Sequence, residues 1–255
     1  MLRSLKYLII FALSLVMVSS LMVLMPQGKN PATITVSPTV VSPRIIAENS
    51  GSEPLDGSQL VDIQMINPRI VLEIRYATPH NFFRRQLYQT SRCILRREVA
   101  EQLSQVQIDL EQQGLGLKVF DCYRPLSVTQ QMWELLPDPR YVANPARGSR
   151  HNRGAAVDLT LVDQDGNDLK MPTDFDDFTE KAGRDYQGNS SEVQSNSDLL
   201  SQVMQKHGFM PLVFEWWHFD LVDWEKFPIL DLPFESVPAP GLSFSKFLQI
   251  DGTLG

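Results

Sequence analysis

The stretch Ser149-Arg150-His151-Asn152-Arg153-Gly154-Ala155-Ala156-Val157-Asp158-Leu159-Thr160-Leu161-Val162 changes character half-way along. Its first half is polar and charged. Its second half, Ala155–Val162, is β-rich and closes in the turn signal Asp165-Gly166, so it reads as a strand with a polar turn at its head. Toward the N-terminus, Glu98–Gln113 reads as an amphipathic helix. Val99, Leu103, Val106 and Leu110 recur at spacings of four, three and four, which puts them on one face. Gly114-Leu115-Gly116 ends it, and Leu117–Tyr123 then alternates as a strand that stops at Arg124-Pro125. A second helix is expected over Ser127–Leu135. Toward the C-terminus, a helix from about Asp198 to Lys206 stops at Gly208, and Phe214–Val222 reads as a last, aromatic-rich strand. Helices and strands alternate without a βαβ rhythm. The expected class is therefore α+β, a single small domain with a central antiparallel sheet flanked by helices.

That domain occupies about Gln59–Phe234. Before it, Arg3 and Lys6 precede an uncharged apolar run from Tyr7 to Met25. Residues 1–25 read as a signal peptide or an N-terminal membrane anchor, and either one leaves the rest of the chain outside the cytoplasm, in the periplasm or cell envelope. Residues 26–58 are rich in Pro, Ser and Thr and read as a linker, with Pro26, Pro31, Pro38, Pro43 and Pro54 opposing regular structure. Residues 235–255 read as a loosely ordered tail. The net charge of −7 excludes nucleic acid and anionic lipid surfaces as expected partners, since both need a basic footprint. A membrane enters the picture only through the N-terminal segment. Cys93 and Cys122 are the only cysteines. They are too few for a thiolate zinc site, and they form either a disulfide or two separate buried thiols.

The chemistry concentrates in two places, the His151–Asp158 segment and Glu215-Trp216-Trp217-His218. Hydrolytic zinc takes three nitrogen or oxygen ligands and keeps one position for water. His151, Asp158 and His218 supply such a set, and Glu215 supplies a carboxylate to move the proton. Each piece also has a plain structural reading: a hydrogen-bonded histidine, a strand-end aspartate, a tryptophan pair in a core. On an ideal strand Glu215 and His218 would face opposite ways, because their separation is odd; a bend is required between them. His207 suits the end of a helix, where its charge complements the dipole. His80 falls in a loop.

Ser149-x-His151-x-x-Gly154-x-Ala156-x-Asp158 followed by Glu215-Trp216-Trp217-His218 resembles the double signature of the D-Ala-D-Ala zinc peptidases. Arg75-Tyr76-Ala77-Thr78 with Asn81-Phe82, Asp121-Cys122-Tyr123-Arg124-Pro125 and Phe175-Asp176 favour the VanX-type D-alanyl-D-alanine dipeptidases within that group. The resemblance implies one Zn2+ per chain on His151, Asp158 and His218, in a cleft on the sheet. It implies Glu215 as general base and acid, and Arg124 facing the scissile carbonyl with Asp121 holding it. It implies Asp176 and Tyr76 at the substrate ammonium, with Asp177 the neighbouring alternative, and Ser149 near the substrate carboxylate. Arg150 and Arg153 receive no role. The implied substrate is a small D,D-dipeptide, with peptidoglycan fragments as a further source. D,D-carboxypeptidase action on stem peptides is the alternative activity, and a metal-holding module without catalysis a third.

Overall fold

The computed structural model describes residues Asp56–Gly241. The expected leader and most of the linker lie outside them, as does the end of the tail. In chain order the elements are β1 (Leu60–Asp62), α1 (Ile63–Ile66), β2 (Val71–Leu72), β3 (Ile94–Arg96), α2 (Arg97–Glu111), β4 (Leu115–Asp121), α3 (Leu126–Leu135), β5 (Ala156–Asp163), α4 (Ser191–Lys206), β6 (Phe209–Pro211) and β7 (His218–Leu221). Among the described residues no helix is long and apolar enough to cross a membrane.

Five strands form one sheet in the order β2-β4-β5-β7-β6, and β1 pairs with β3 in a small separate sheet. The α+β class holds, but the sheet is mixed. The pairs β4–β5, β5–β7 and β7–β6 are antiparallel, whereas β2 runs parallel to β4. A parallel pair needs a long crossover, usually carrying a helix. Residues 73–114 supply it, with α2 inside. The edge strand β2 is only two residues long, too short to leave a periodic trace in the sequence. Val99, Leu103, Val106 and Leu110 of α2 are fully buried, as their spacing predicts, alongside Leu117 and Val119 of β4 and Leu159 and Leu161 of β5.

Strand β4 begins and ends two residues earlier than expected, and two further elements depart from their expected extents for identifiable reasons. The last helix starts at Ser191, well before Asp198, because the Ser190 side chain accepts a hydrogen bond from the Val193 amide and caps it. Its first two turns are almost wholly polar and carry no apolar stripe. The last strand begins only at His218, and the residues before it form a turn closed by the His218 amide donating to the Glu215 carbonyl at 3.3 Å. Glu215 is therefore not on the strand, and this is the bend the odd spacing called for.

Two long-range ties complete the frame. Cys93 and Cys122 form a disulfide, joining the residue before β3 to the residue after β4. Arg92 donates to the carbonyls of Phe234, Val237 and Pro238 and to the Asp62 carboxylate. Phe234 and Val237 are buried, so the packed chain runs slightly beyond Phe234.

Candidate active site

Strand pairing builds the core of the site. A β-bulge between Val119 and Asp121 shifts the β4–β5 register so that Asp121 stands opposite Asp158, and Asp158 stands opposite His218 on β7. Residues directly opposite in a sheet share a face. Asp121, Asp158 and His218 thus form a row across three strands, and Asp220, two residues beyond His218, joins that face. His151 arrives from the short 3₁₀ turn His151–Arg153. That turn ends at Gly154 with φ +68°, where a Cβ would lie 2.9 Å from Leu60 Cδ2 and 3.3 Å from the Arg96 amide nitrogen; only glycine fits.

Three donor atoms converge. His151 Nε2 lies 3.2 Å from His218 Nδ1, His218 Nδ1 lies 2.9 Å from Asp158 Oδ1, and His151 Nε2 lies 3.5 Å from Asp158 Oδ1. Tetrahedral zinc with bonds of about 2.0–2.1 Å holds its ligand atoms roughly 3.3–3.4 Å apart, so the spacing fits. The outer ring nitrogens give a second test. His151 Nδ1 is 2.8 Å from the Cys122 carbonyl oxygen, and His218 Nε2 is 2.9 Å from Asp220 Oδ1. A carbonyl and a carboxylate accept, so both outer nitrogens carry the proton. In the neutral rings the inner nitrogens then present lone pairs toward each other and toward a carboxylate oxygen. Such a cluster repels itself unless a cation, metal or proton, sits within it. Burial works against charge on Asp158, yet His151 and His218 hold its carboxyl below the usual range. Burial likewise opposes charge on His218, and hydrogen bonds to Asp158 and Asp220 outweigh it and push the imidazole well above its ordinary value.

The donors open into a cavity of about 440 Å³. Tyr76, Arg124, Ser149, His151, Asp158, Asp176, Glu215 and His218 all line it. Asp121 does not, because it is fully buried behind Arg124. Its Oδ2 accepts from Arg124 Nη2 at 2.5 Å and Nε at 3.1 Å, while its Oδ1 accepts from the Tyr88 hydroxyl and the Cys122 amide. The Arg124 guanidinium lies 5.1 Å from the centre of the Tyr76 ring. The Tyr76 hydroxyl in turn donates to Asp176, with its two oxygens 3.0 and 3.2 Å away. Asp176 is buried, with φ +62°, a backbone region that asparagine and aspartate tolerate better than most residues. Burial, reinforced by the charge of Asp158, pushes its carboxyl up to about 8. Glu215 is also raised, by burial first, with the neighbouring His218 opposing the shift.

The Peptidase_M15 family model, described as D-ala-D-ala dipeptidase, matches residues 56–238. The chain belongs to that family. The D-alanyl-D-alanine dipeptidase of Escherichia coli (strain K12) is 35% identical over 186 residues, spanning 73% of this chain and 96% of that protein. Its counterpart from Enterococcus faecalis (strain ATCC 700802 / V583) is 31% identical over 177 residues, spanning 61% and 87%. The family is one of zinc metallopeptidases, and the protein is accordingly an enzyme of the D-Ala-D-Ala dipeptidase kind.

Three supporting residues of this dipeptidase escape a reading of the sequence. Asp220 fixes the His218 ring, and its signal is the i+2 spacing along a strand. Asn152, fully buried, donates from its side chain to the Arg124 carbonyl and to Thr129 Oγ1, each at 2.8 Å, and accepts from the Ser149 amide at 2.7 Å. It locks the arginine loop to the histidine turn. Arg184 donates to the carbonyls of Leu212, Trp216 and His218 and to Ser201 Oγ. It thereby pins both ends of the turn that presents Glu215. Nothing local in the sequence marks the role of Asn152 or Arg184, since apart from the Ser149 amide their partners lie far along the chain.

Proposed function

We propose that the protein hydrolyses free D-alanyl-D-alanine-type dipeptides to D-amino acids, with one zinc ion on His151, Asp158 and His218. The observation that carries this reading is the convergence of three metal-type donors, a free glutamate and a buried arginine on one cavity. When bound, zinc acidifies a water molecule and polarises the scissile carbonyl. Glu215, the carboxylate beside the donors, takes the proton from the attacking water and delivers it to the leaving amine. A raised carboxyl suits a group that must hold a proton between those two steps. Arg124 donates to the carbonyl oxygen as negative charge builds there, and the two contacts to Asp121 fix its direction before the reaction starts. Asp176 and the Tyr76 hydroxyl receive the substrate ammonium, whose charge stabilises ionised Asp176 in its apolar setting. Ser149, a lining residue two positions before His151, meets the substrate carboxylate.

Reading both ends of a free dipeptide separates this activity from trimming of N-acylated stem peptides. Action outside the cytoplasm, on dipeptides and fragments released from peptidoglycan, is supported by the Tyr7–Met25 apolar run and by the pairing of both cysteines, which an oxidising compartment favours. The test is a substrate panel with purified Gln59–Gly255. D-Alanine release from D-Ala-D-Ala, abolished by a chelator and restored by zinc, is expected. Turnover of an N-acylated peptide with none of the dipeptide would transfer the assignment to a D,D-carboxypeptidase.

A further inference from the structure

Cavities of roughly 300–1,000 Å³ hold drug-sized ligands, and a free dialanine is far smaller than those. The space of about 440 Å³ therefore exceeds what two methyl side chains need. The surplus has a defined lining. Phe82, Tyr141 and Phe178 form an aromatic cluster on the cavity wall. Phe82 stacks on Tyr141 with ring centres 5.8 Å apart and a 20° interplanar angle, and it meets Phe178 edge-on at 5.2 Å and 90°. Tyr141 and Phe178 meet at 5.3 Å. Despite these contacts Phe82 keeps 41% of its surface exposed. An aromatic ring left open inside a polar catalytic cavity is a surface with apolar binding energy in reserve.

The chain connections say which end of the substrate this wall serves. Phe82 lies on the loop that follows Tyr76, and Phe178 lies two residues past Asp176. The Asn81 side-chain amide holds the first loop by donating to the carbonyls of Arg75, Thr78 and Arg85. Phe178 is backed by Trp217 at 6.0 Å. Both loops are therefore the ones that carry the Tyr76–Asp176 pair, on the ammonium side of the cavity.

We propose that the enzyme accepts D,D-dipeptides whose amino-terminal residue bears a bulky apolar or aromatic side chain, seated against Phe82, Tyr141 and Phe178. This rests on the dipeptidase reading above. It names the substrate class of that site. Near Ser149 in the chain the lining carries the charged Arg147 and Arg150, with the Arg150 guanidinium 4.9 Å from the centre of the Trp224 ring.

The experiment compares kcat/KM of the zinc-loaded enzyme for D-Ala-D-Ala, D-Phe-D-Ala and D-Ala-D-Phe, in the natural sequence and in Phe82→Ala and Tyr141→Ala. D-Phe-D-Ala is expected within about tenfold of D-Ala-D-Ala, and Phe82→Ala should lower it by roughly tenfold or more while moving D-Ala-D-Ala by less than about twofold. Equal losses for both substrates in both variants would make the cluster a loop brace and overturn the proposal. So would turnover of D-Ala-D-Ala with none of D-Phe-D-Ala, or a preference for the bulky group at the carboxyl-terminal position. Failure on all three dipeptides would instead defeat the dipeptidase reading itself, and this inference with it.

Discussion

The strand-borne Asp158 and His218 and the loop-borne Tyr76 and Asp176 line one cavity but are built in opposite ways. Asp121, Asp158 and His218 stand opposite one another on three adjacent strands, and their positions follow from sheet register and one bulge. Tyr76, on a short 3₁₀ turn, and Asp176, on irregular backbone, meet across 100 residues of sequence, and Asp176 has a left-handed conformation. The sheet fixes atoms that must not move relative to an ion, where errors of a few tenths of an ångström matter. In the proposed function the loops fix what enters. Substitutions on the sheet side should therefore abolish turnover of every substrate, while those on the loops should change which substrate is used and under what conditions.

The largest effect expected is that of Glu215→Ala, which should retain zinc at one ion per chain and lose roughly 10²–10⁴-fold in kcat. Metal analysis beside a rate measurement checks it, and a near-normal rate would remove Glu215 from its role. Arg124→Ala should lower kcat by roughly 10²–10³-fold; an effect confined to KM would make the arginine a binding residue only. Asp220→Asn, which weakens the partner of the His218 ring, should reduce zinc affinity by roughly 10–100-fold, read by competition with a chromogenic chelator. The smallest effect is the one that sharpens the comparison most. In the ligand-free cavity burial pushes Asp176 up to about 8, so below that pH the neutral acid prevails and the ammonium meets no counter-charge. The ionised fraction falls about tenfold per pH unit below the pKa. kcat/KM for D-Ala-D-Ala should accordingly rise as pH climbs toward 8, and Asp176→Asn should flatten that limb. An unchanged profile in the variant would detach Asp176 from the ammonium.

The same contrast explains what a reader of the sequence can and cannot see. The stripe of α2, the alternating run of β4 and the β-rich composition of β5 are local signals, and the structure returns all three elements, with β4 two residues earlier than expected. The donors were legible because a histidine turn, a strand aspartate and Glu215-Trp216-Trp217-His218 carry their chemistry in residue type. Supporting groups were not. Asn152 and Arg184 work through backbone carbonyls distant in sequence, and a carbonyl has no letter of its own. The parallel edge strand β2 was hidden by its length, and the start of α4 by the absence of any apolar face in its first two turns.

The Cys93–Cys122 link bears on which ions the site meets as rivals. Its second sulfur sits on the residue whose carbonyl orients His151. No thiol remains anywhere in the chain. A reduced cysteine at that position would place a soft sulfur donor one residue from Asp121, an invitation to cuprous copper and to peroxide. With both sulfurs tied to each other, no thiolate competes with His151, Asp158 and His218, whose imidazole and carboxylate groups are the borderline and hard donors that suit zinc.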